Sequence, residues 1–269
     1  SLVVCLLVAG LYLFSTTKKY QITSTLILQH GTESTTLQDE MLSFVGLGAS
    51  KDLIDEIEIL GSRTLFEQSI RALDLQSQYH KREGLRWIPQ YPTPDIAVRY
   101  PYHYLDTLQR RVDISIQRSD DTYKVKVQAK YRNRTVKSKH VLLSLDEPVM
   151  TCVGQLNLVE NKALRNGEKI RIVTHPMSVA IDQAKNIVHV AQIKKESNVI
   201  RLSATSDAPR MIIDLMNKLI DLYNLNSVSD KNLLTSNTAA FIEERLHIIT
   251  LELDTVEHAV DRKSTRLNS

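Results

Sequence analysis

The feature that most constrains this chain is an apolar stripe near its C-terminal end. In the segment from Ser229 to Val260, apolar residues recur at alternating steps of four and three, namely Ile242, Leu246, Ile249, Leu253, Val256 and Val260. This heptad spacing is typical of a helix that packs against another helix. Ser229 and Asp230 suit the start of such a helix, because serine caps free amides and an acidic group favours the positive end of the helix dipole. We expect a long helix over 229–260 that packs on its own domain or on a second copy.

Length and composition indicate a globular protein of one large or two small domains. The chain has 269 residues, of which 42% are hydrophobic and 24% are charged. A net charge of +3 and an aromatic content of 6% are too low to indicate a nucleic-acid partner. Cys5 and Cys152 give no disulfide framework, and we expect each to behave as a small apolar residue.

An uncharged apolar run from Leu2 to Phe14 lies at the start of the chain. A membrane helix needs about 20 residues, so residues 1–17 are interpreted as a truncated transmembrane helix. A signal peptide is the alternative, but no small-x-small cleavage site follows the run. The residues expected in the membrane are Leu6, Leu7, Leu11, Leu13 and Phe14.

The next segment and a later one predict the two parts of a mixed α/β domain. Residues 18–78 carry an alternating strand from Lys19 to Gln29, followed by short helices. Those helices are predicted at Thr36 to Val45, after a Ser50 cap, and after a Ser62 cap. Residues 168–228 return to strands and helices, with one helix opened by Pro176 and another running from Asp207 to Asn224. Residues 261–269 show no pattern and are interpreted as a fragment edge or a foreign tail.

A β-rich module is predicted between these two parts, over residues 79–167. Its alternating apolar and polar runs predict an antiparallel sheet with one wet face, and Asp120-Asp121 suits a hairpin turn. Basic residues concentrate there, namely Lys124, Lys126, Lys130, Arg132, Arg134, Lys137 and Lys139. We favour a solvated sheet face whose charges prevent pairing with the strands of other chains. The alternative is a contact for an acidic polysaccharide or another polyanion. The whole pattern predicts an α+β (α/β) fold with a long C-terminal helix.

The sequence contains none of the common catalytic or nucleotide-binding motifs. The Gly-rich segment 46–51 lacks the G-x-x-x-x-G-K-[ST] spacing of a phosphate loop, and no G-x-S-x-G, H-E-x-x-H or C-x-x-C occurs. The histidines lie at no metal-ligand spacing. We therefore predict no catalytic, cofactor-binding or metal-binding residues in this chain.

Three segments together resemble the chain-length determinant, or polysaccharide co-polymerase, family of bacterial inner-membrane proteins. Residues 55–63 read Asp-Glu-Ile-Glu-Ile-Leu-Gly-Ser-Arg, residues 216–224 read Met-Asn-Lys-Leu-Ile-Asp-Leu-Tyr-Asn, and residues 238–246 read Thr-Ala-Ala-Phe-Ile-Glu-Glu-Arg-Leu. The residues that carry this resemblance at the first two segments are Glu56, Ile57, Glu58, Leu60, Ser62, Arg63, Asn217 and Tyr223. The middle β-rich region looks like the insertion of members that carry a cytoplasmic tyrosine-kinase domain, although there the likeness is weaker.

The resemblance implies a non-catalytic module that assembles into closed rings and regulates the length or export of exopolysaccharide, capsule or O-antigen. It implies a bacterial inner-membrane protein with the bulk of this chain on the periplasmic side. Its partners would be further copies, the membrane, and the polymerase and export machinery, with the polysaccharide as a further candidate partner. The residues expected in assembly are Phe241, Ile242, Arg245, Leu246, Ile249, Leu253, Val256 and Glu257.

Two alternatives remain open at this point. A periplasmic adaptor of a secretion or efflux system would use the heptad helix in a coiled-coil hairpin, but only one such helix is visible. The chain could instead be the N-terminal part of an exopolysaccharide tyrosine autokinase. This fragment lacks a Walker motif, so we expect no kinase activity from it.

Overall fold

The fold contains both helices and strands, which confirms the α+β class at that coarse level. It is taken from a computed structural model that describes residues 4–6, 9–10, 18–27, 48–101, 104–130, 135–145, 147–193 and 199–267. The chain forms two compact units, Ser1–Ile220 and Asp221–Ser269. The described elements follow in the order β1 (Tyr20–Ile27), α1 (Gly48–Leu60), α2 (Arg63–Ala72), β2 (Ser77–Glu83), β3 (Arg86–Pro89), β4 (Ile96–Arg99), α3 (Tyr104–Thr107), β5 (Val112–Ser119), β6 (Thr122–Lys130), β7 (Thr135–Leu142), β8 (Val149–Thr151), β9 (Gly154–Glu160), β10 (Lys169–Thr174), α4 (Met177–Ile187), β11 (Val188–Gln192), β12 (Val199–Ser206) and α5 (Pro209–Leu267).

One part of the first unit is a three-stranded antiparallel sheet packed against helices. The strand order is β1–β12–β11, with Thr25 opposite Arg201 and Val188 opposite Ala204. The alternating strand predicted from Lys19 thus pairs with the segment that begins at Val199. Helix α2 packs against α4, α1 contacts β11, and α4 contacts β11 and β12. The apolar alternation of β12 buries Ile200, Leu202 and Ala204 under these helices.

Two further sheets form a β-sandwich within the first unit. The larger sheet has the order β3–β2–β10–β5–β6–β7, and the smaller has the order β4–β9–β8. Alternate residues of both sheets point inward, and the buried cluster consists of Ile96, Val98, Val112, Ile114, Ile116, Tyr123, Val125, Val127, Leu145, Leu156, Leu158, Leu164, Ile170 and Ile172. The predicted sheet with one wet face is confirmed, and so is the turn at Asp120-Asp121, since Ser119 pairs with Thr122.

Strand β10 lies in the middle of the larger sheet. It pairs with β2 on one side and with β5 on the other, both antiparallel. The predicted domain boundary at residue 167 therefore separates β10 from the sheet to which it belongs. The alternation of a single strand gives its exposure but not its neighbours, because strand pairing joins residues far apart in the sequence.

Helix α5 corrects the prediction of two separate helices near the C-terminal end. It runs without a break from Pro209 to Leu267 over 59 residues, so Ser229 lies in its interior and does not cap a helix. The linking residues 225–228, Leu-Asn-Ser-Val, include neither Gly nor Pro, and nothing in them forces the helix to end. Residues 261–267, for which the sequence showed no pattern, are helical as well.

One of three predicted helix starts agrees with the structure, and two differ from it. Ser62 caps α2, because its Oγ accepts a hydrogen bond from the Leu65 amide at 3.3 Å. Helix α1 begins at Gly48, so Ser50 lies within the helix and not at its cap. Pro176, predicted as the first helical residue, is instead the N-cap residue of α4, one position before Met177, and it offers no side-chain hydrogen bond.

Most of the predicted membrane segment lies outside the described residues. Leu6 falls in a described helical stretch and is exposed, whereas Leu7, Leu11, Leu13 and Phe14 lie outside. The helix predicted over 36–45 and the basic residues Arg132 and Arg134 lie outside as well. Within the described ranges, no helix combines the length and the apolar character that crossing a membrane requires.

Candidate functional site

The predicted assembly stripe is exposed along the second unit. Between 51% and 59% of the side-chain surface is accessible at each of Ile242, Leu246, Ile249 and Leu253. Helices of soluble proteins normally bury such a stripe, and a contiguous exposed apolar surface is typical of an interaction site. Val256 and Glu257 are helical, but their side chains lie outside the described ones.

Phe241 and Arg245 belong to the same stretch but not to the seam itself. The Arg245 guanidinium lies 5.5 Å from the centre of the Phe241 ring, which is a cation–π contact between residues one helical turn apart. Phe241 is nevertheless 57% exposed. The pair leaves an aromatic ring beside the apolar seam.

The seam extends upstream of the predicted helix start. Counting back from Ile242 in steps of three and four reaches Leu225 and Val228, which are 65% and 57% exposed. Three less apolar residues occupy the positions between, namely Asn232, Thr235 and Ala239. The sequence interpretation missed these residues because it placed the helix start at Ser229. We define the heptad seam as Leu225, Val228, Asn232, Thr235, Ala239, Ile242, Leu246, Ile249 and Leu253.

Several residues of the two segments that carry the family resemblance stabilise the fold. Leu60 is fully buried, Ser62 caps α2, and Arg63 forms an ion pair with Asp182 at 2.6 Å that joins α2 to α4. Burial also differs among the others: Glu56 and Ile57 are half-buried, Tyr223 is buried, and Glu58 and Asn217 are exposed. These residues lie on different elements, and none of them lines the cleft described next.

A cleft of about 560 Å³ opens in the first unit. This volume lies within the range of small-molecule sites. The cleft is formed where the end of α2, strand β2, the β3–β4 segment and the junction of β12 with α5 meet. Its lining comprises residues 73–80, 89–92, 94, 97–100, 105, 187, 206–208 and 211. The sequence interpretation missed it, although the crowding of Tyr and Pro after Tyr79 marked the segment as irregular.

Hydrogen bonds hold the cleft wall in place. Thr174 is fully buried, and its hydroxyl lies 2.9 Å from that of Ser77 and 2.6 Å from that of Tyr100. The Val98 amide donates to the Tyr79 hydroxyl at 3.4 Å. Two tyrosine rings that line the cleft are therefore fixed by bonds to β10 and β4.

Burial favours the uncharged forms of one histidine and three tyrosines that line the cleft. It lowers the pKa of His80, where the carboxylate of Asp207 acts in the opposite direction. It raises the pKa of Tyr79 and of Tyr100. Burial and a hydrogen bond to Asp214 raise the pKa of Tyr91 to about 12. These four residues present neutral hydrogen-bonding groups and ring surface, and Asp74, Arg99 and Asp207 line the cleft beside them.

No set of three or more His, Cys, Asp or Glu side chains within the described part of the chain could hold a metal ion. The two cysteines are free, with Cys5 exposed and Cys152 half-buried. The sulfur of Cys152 lies 3.8 Å from the carbonyl oxygens of Val127 and Val136, in the sandwich.

Comparisons with known proteins add little to this geometry. No family model matches the chain, and no curated protein matches it. Among solved structures, the crystal structure of the flagellar junction protein FlgL from Legionella pneumophila is similar with a TM-score of 0.24 and 10% sequence identity. The match covers 60% of this chain, which spans about half (51%) of the FlgL chain. A similarity at this level carries no argument about fold or function.

Proposed function

We propose that this chain is a non-catalytic, self-assembling module of a polysaccharide co-polymerase. In this proposal it lies on the periplasmic side of a bacterial inner membrane, forms closed rings with further copies, and helps the polymerase and export machinery set the length of a surface polysaccharide. The observation that carries the proposal is the exposed heptad seam on α5.

The energetics of the seam favour its burial against a partner helix, which in this proposal belongs to a second copy. Full burial of one Leu or Ile side chain contributes about 1.5–3 kcal/mol. The seam exposes more than half of each of Ile242, Leu246, Ile249 and Leu253. Burying these four side chains between two copies would therefore recover several kcal/mol per copy, which is enough to offset part of the entropic cost of association.

The β1–β12 pairing supports an attachment at one end of the first unit. Tyr20 at the start of β1 lies opposite Ser206 at the end of β12, and α5 begins three residues later at Pro209. The apolar run 2–14 precedes Tyr20 closely in the sequence. In the proposed protein, the membrane segment would join the sheet at the end where β12 leads into α5.

The test uses the full-length membrane-anchored protein in mild detergent, with mass measured by analytical ultracentrifugation or mass photometry. The wild type is expected to form a uniform high-order oligomer. Leu246→Glu with Leu253→Glu places two charges in the seam and should shift the protein towards monomers. The matched control is Ala240→Glu with His247→Glu, which adds the same number of Glu residues at exposed positions off the seam and should leave the oligomer intact.

Polysaccharide length gives the second measurement. In the organism that carries the gene, the seam variant should change the length distribution of a surface polysaccharide on gels, and the control variant should not. A wild-type protein that stays monomeric in mild detergent would contradict the assembly. An unchanged length distribution after complete deletion of the gene would contradict the polysaccharide role.

A further inference from the structure

A cluster of lysines covers the outward face of two neighbouring strands in the larger sheet. We define the lysine face by its members on β6 and β7, which are Lys124, Lys126, Lys130, Lys137 and Lys139. All five side chains are exposed. The alternate residues of β6, Tyr123, Val125, Val127 and Ala129, are buried in the core. Because a shift by one residue would bury the lysines, the core fixes them on this face.

The strand register brings the lysines together. Lys126 lies directly opposite Lys139 in the β6–β7 pair. Lys124 is opposite Val141 and Gln128 is opposite Lys137, so Lys124 is the diagonal neighbour of Lys139, and Lys137 that of Lys126. Opposite side chains in antiparallel strands lie about 5 Å apart at Cβ and diagonal ones about 7–8 Å.

Few carboxylates face this cluster. The described residues of β6 and β7 include no Asp or Glu. Strand β5 places Gln117 beside Lys124 and Ser115 beside Lys126. Its single carboxylate, Asp113, is already held by Arg111 at 2.7 Å and by Arg171 at 2.9 Å.

The turn that joins β5 to β6 also carries two carboxylates. Asp120 accepts a hydrogen bond from Asn166, and Asp121 is exposed. Both lie in this turn, at the end of β6 away from Lys130.

Protection of a sheet edge does not account for this arrangement. Lysines on an edge strand prevent pairing with other chains, and β7 is an edge strand. Three of the five lysines are on β6, however, which is paired on both sides. Like charges directly opposite each other destabilise a sheet, so the Lys126–Lys139 pair opposes folding. An anionic ligand bound between the two lysines would offset this repulsion.

We propose that the lysine face binds the carboxylates of an acidic polysaccharide. This rests on the proposed function, which brings a polysaccharide to the protein. The outward residues of β6 include no aromatic side chain on which a nucleobase could stack. The neighbouring Gln117, Gln128 and Ser115 supply amide and hydroxyl groups that can bond to sugar hydroxyls.

The test measures binding of the full-length detergent-solubilised protein to immobilised polygalacturonate, with neutral dextran and single-stranded DNA as comparison ligands. The wild type should bind polygalacturonate and not dextran. Lys126→Gln with Lys139→Gln should raise the Kd about tenfold and lower the salt slope of log K by roughly 1.5, because two ionic contacts are lost. The matched control, Lys162→Gln with Lys185→Gln, removes two lysines outside the lysine face and should leave both values unchanged.

A second variant separates binding from folding. Lys139→Glu places a carboxylate opposite Lys126, so it should raise the melting temperature of the sheet by about 2 °C while weakening polygalacturonate binding. Trp87, the single tryptophan, lies in β3 of the same sheet and reports its unfolding. A fall in both the melting temperature and the binding would assign Lys139 a structural role and overturn the proposal.

Two further outcomes would overturn it. One is unchanged polygalacturonate binding in the double Gln variant, and the other is binding of single-stranded DNA as tight as that of polygalacturonate. The proposed function fails separately: a monomeric wild type that still binds polygalacturonate through these lysines would contradict ring assembly and support the lysine face. An intact oligomer that does not bind polygalacturonate would contradict the lysine face alone.

Discussion

Tyr20, the first residue of β1, lies directly opposite Ser206, the last residue of β12. The pairing continues in register to Ile27 opposite Val199. Two segments that are far apart in the sequence thus form neighbouring strands, and the start of α5 lies three residues beyond Ser206. This register can be tested with engineered cysteines.

Thr25→Cys with Arg201→Cys, in a background with Cys5→Ser and Cys152→Ala, should form a disulfide under mild oxidation. Thr25 and Arg201 are exposed cross-strand partners, and opposite residues fall within the Cα separation that a disulfide spans. Reducing and non-reducing gels show the bond as a mobility shift. Thr25→Cys with Thr205→Cys is the control, since Thr205 pairs with Gln21, about 13 Å along the strand from Thr25. Equal cross-linking of both pairs would contradict the register.

A half-buried ion cluster predicts a pH-dependent contribution to stability. Lys81 Nζ lies 2.9 Å from Asp95 Oδ2 and 3.0 Å from Glu168 Oε2, and no side chain of the three is more than 24% exposed. Lys81→Gln should lower the free energy of unfolding by about 2 kcal/mol at pH 7, because two carboxylates lose their cation. Urea titration followed by Trp87 fluorescence measures the effect.

The sign of the pH dependence follows from the pKa shifts. Burial alone would raise the pKa of Asp95 and of Glu168, but hydrogen bonds, including that from Lys81, lower both pKa values overall. Their stabilisation is therefore full above the ordinary carboxyl pKa near 4 and is lost as the pH falls through the lowered folded-state values. The difference between wild type and Lys81→Gln should shrink at acid pH, and a constant difference from pH 7 to pH 2 would contradict this account.

An exposed ion pair serves as the control for this cluster. Arg63 and Asp182 lie 2.6 Å apart, but their side chains are 55% and 58% exposed. Solvent screens such pairs, so Asp182→Asn should lower the free energy of unfolding by less than about 1 kcal/mol.

The cap of α2 predicts a local effect on helix stability. Ser62→Ala removes the acceptor for the Leu65 amide and should destabilise the helix by about 1 kcal/mol, whereas Ser62→Asp should preserve the cap. Hydrogen exchange over residues 63–72 should be faster in the alanine variant alone. Ser178→Ala, at an exposed serine in the first turn of α4, is the matched control and should leave exchange unchanged. Equal rates in Ser62→Ala and wild type would show that this cap contributes nothing.

The upstream part of the heptad seam makes a prediction about assembly. A buried Asn at a core position of a coiled coil fixes register and copy number at a cost in stability. Asn232→Leu should therefore give oligomers that resist thermal dissociation better but vary more in mass. Asn237→Leu, on the opposite side of α5 at an exposed position, should change neither property. If Asn232→Leu also changes neither, the seam does not reach beyond Ile242 towards Leu225.

Local patterns predicted a large part of the secondary structure. Alternation identified β5, β6 and the wet face of their sheet, because a half-buried strand must expose every second residue. The Ser62 cap followed from its position before an apolar face, since a free amide needs a nearby acceptor.

Other features required information from distant parts of the chain. Tyr79, Tyr100 and Asp207 line the same cleft. No spacing in the sequence relates these residues. The single helix α5 was missed because weak helix formers at 226–228 and a plausible cap at Ser229 suggested a break. Propensities are weak compared with the cooperative extension of a helix that has no Gly or Pro.

The sequence by itself determined which residues of each strand are apolar and where the heptad spacing of α5 lies, because both depend on neighbours within a few positions. Tertiary structure alone decided that β10 lies between β2 and β5, and that Lys126 stands opposite Lys139. Those pairings are non-local, since backbone hydrogen bonds can join any two strands whose apolar faces meet the same core. The spacing of Ile242, Leu246, Ile249 and Leu253 came from the sequence, whereas their exposure and the concentrated charge of the lysine face came from the fold.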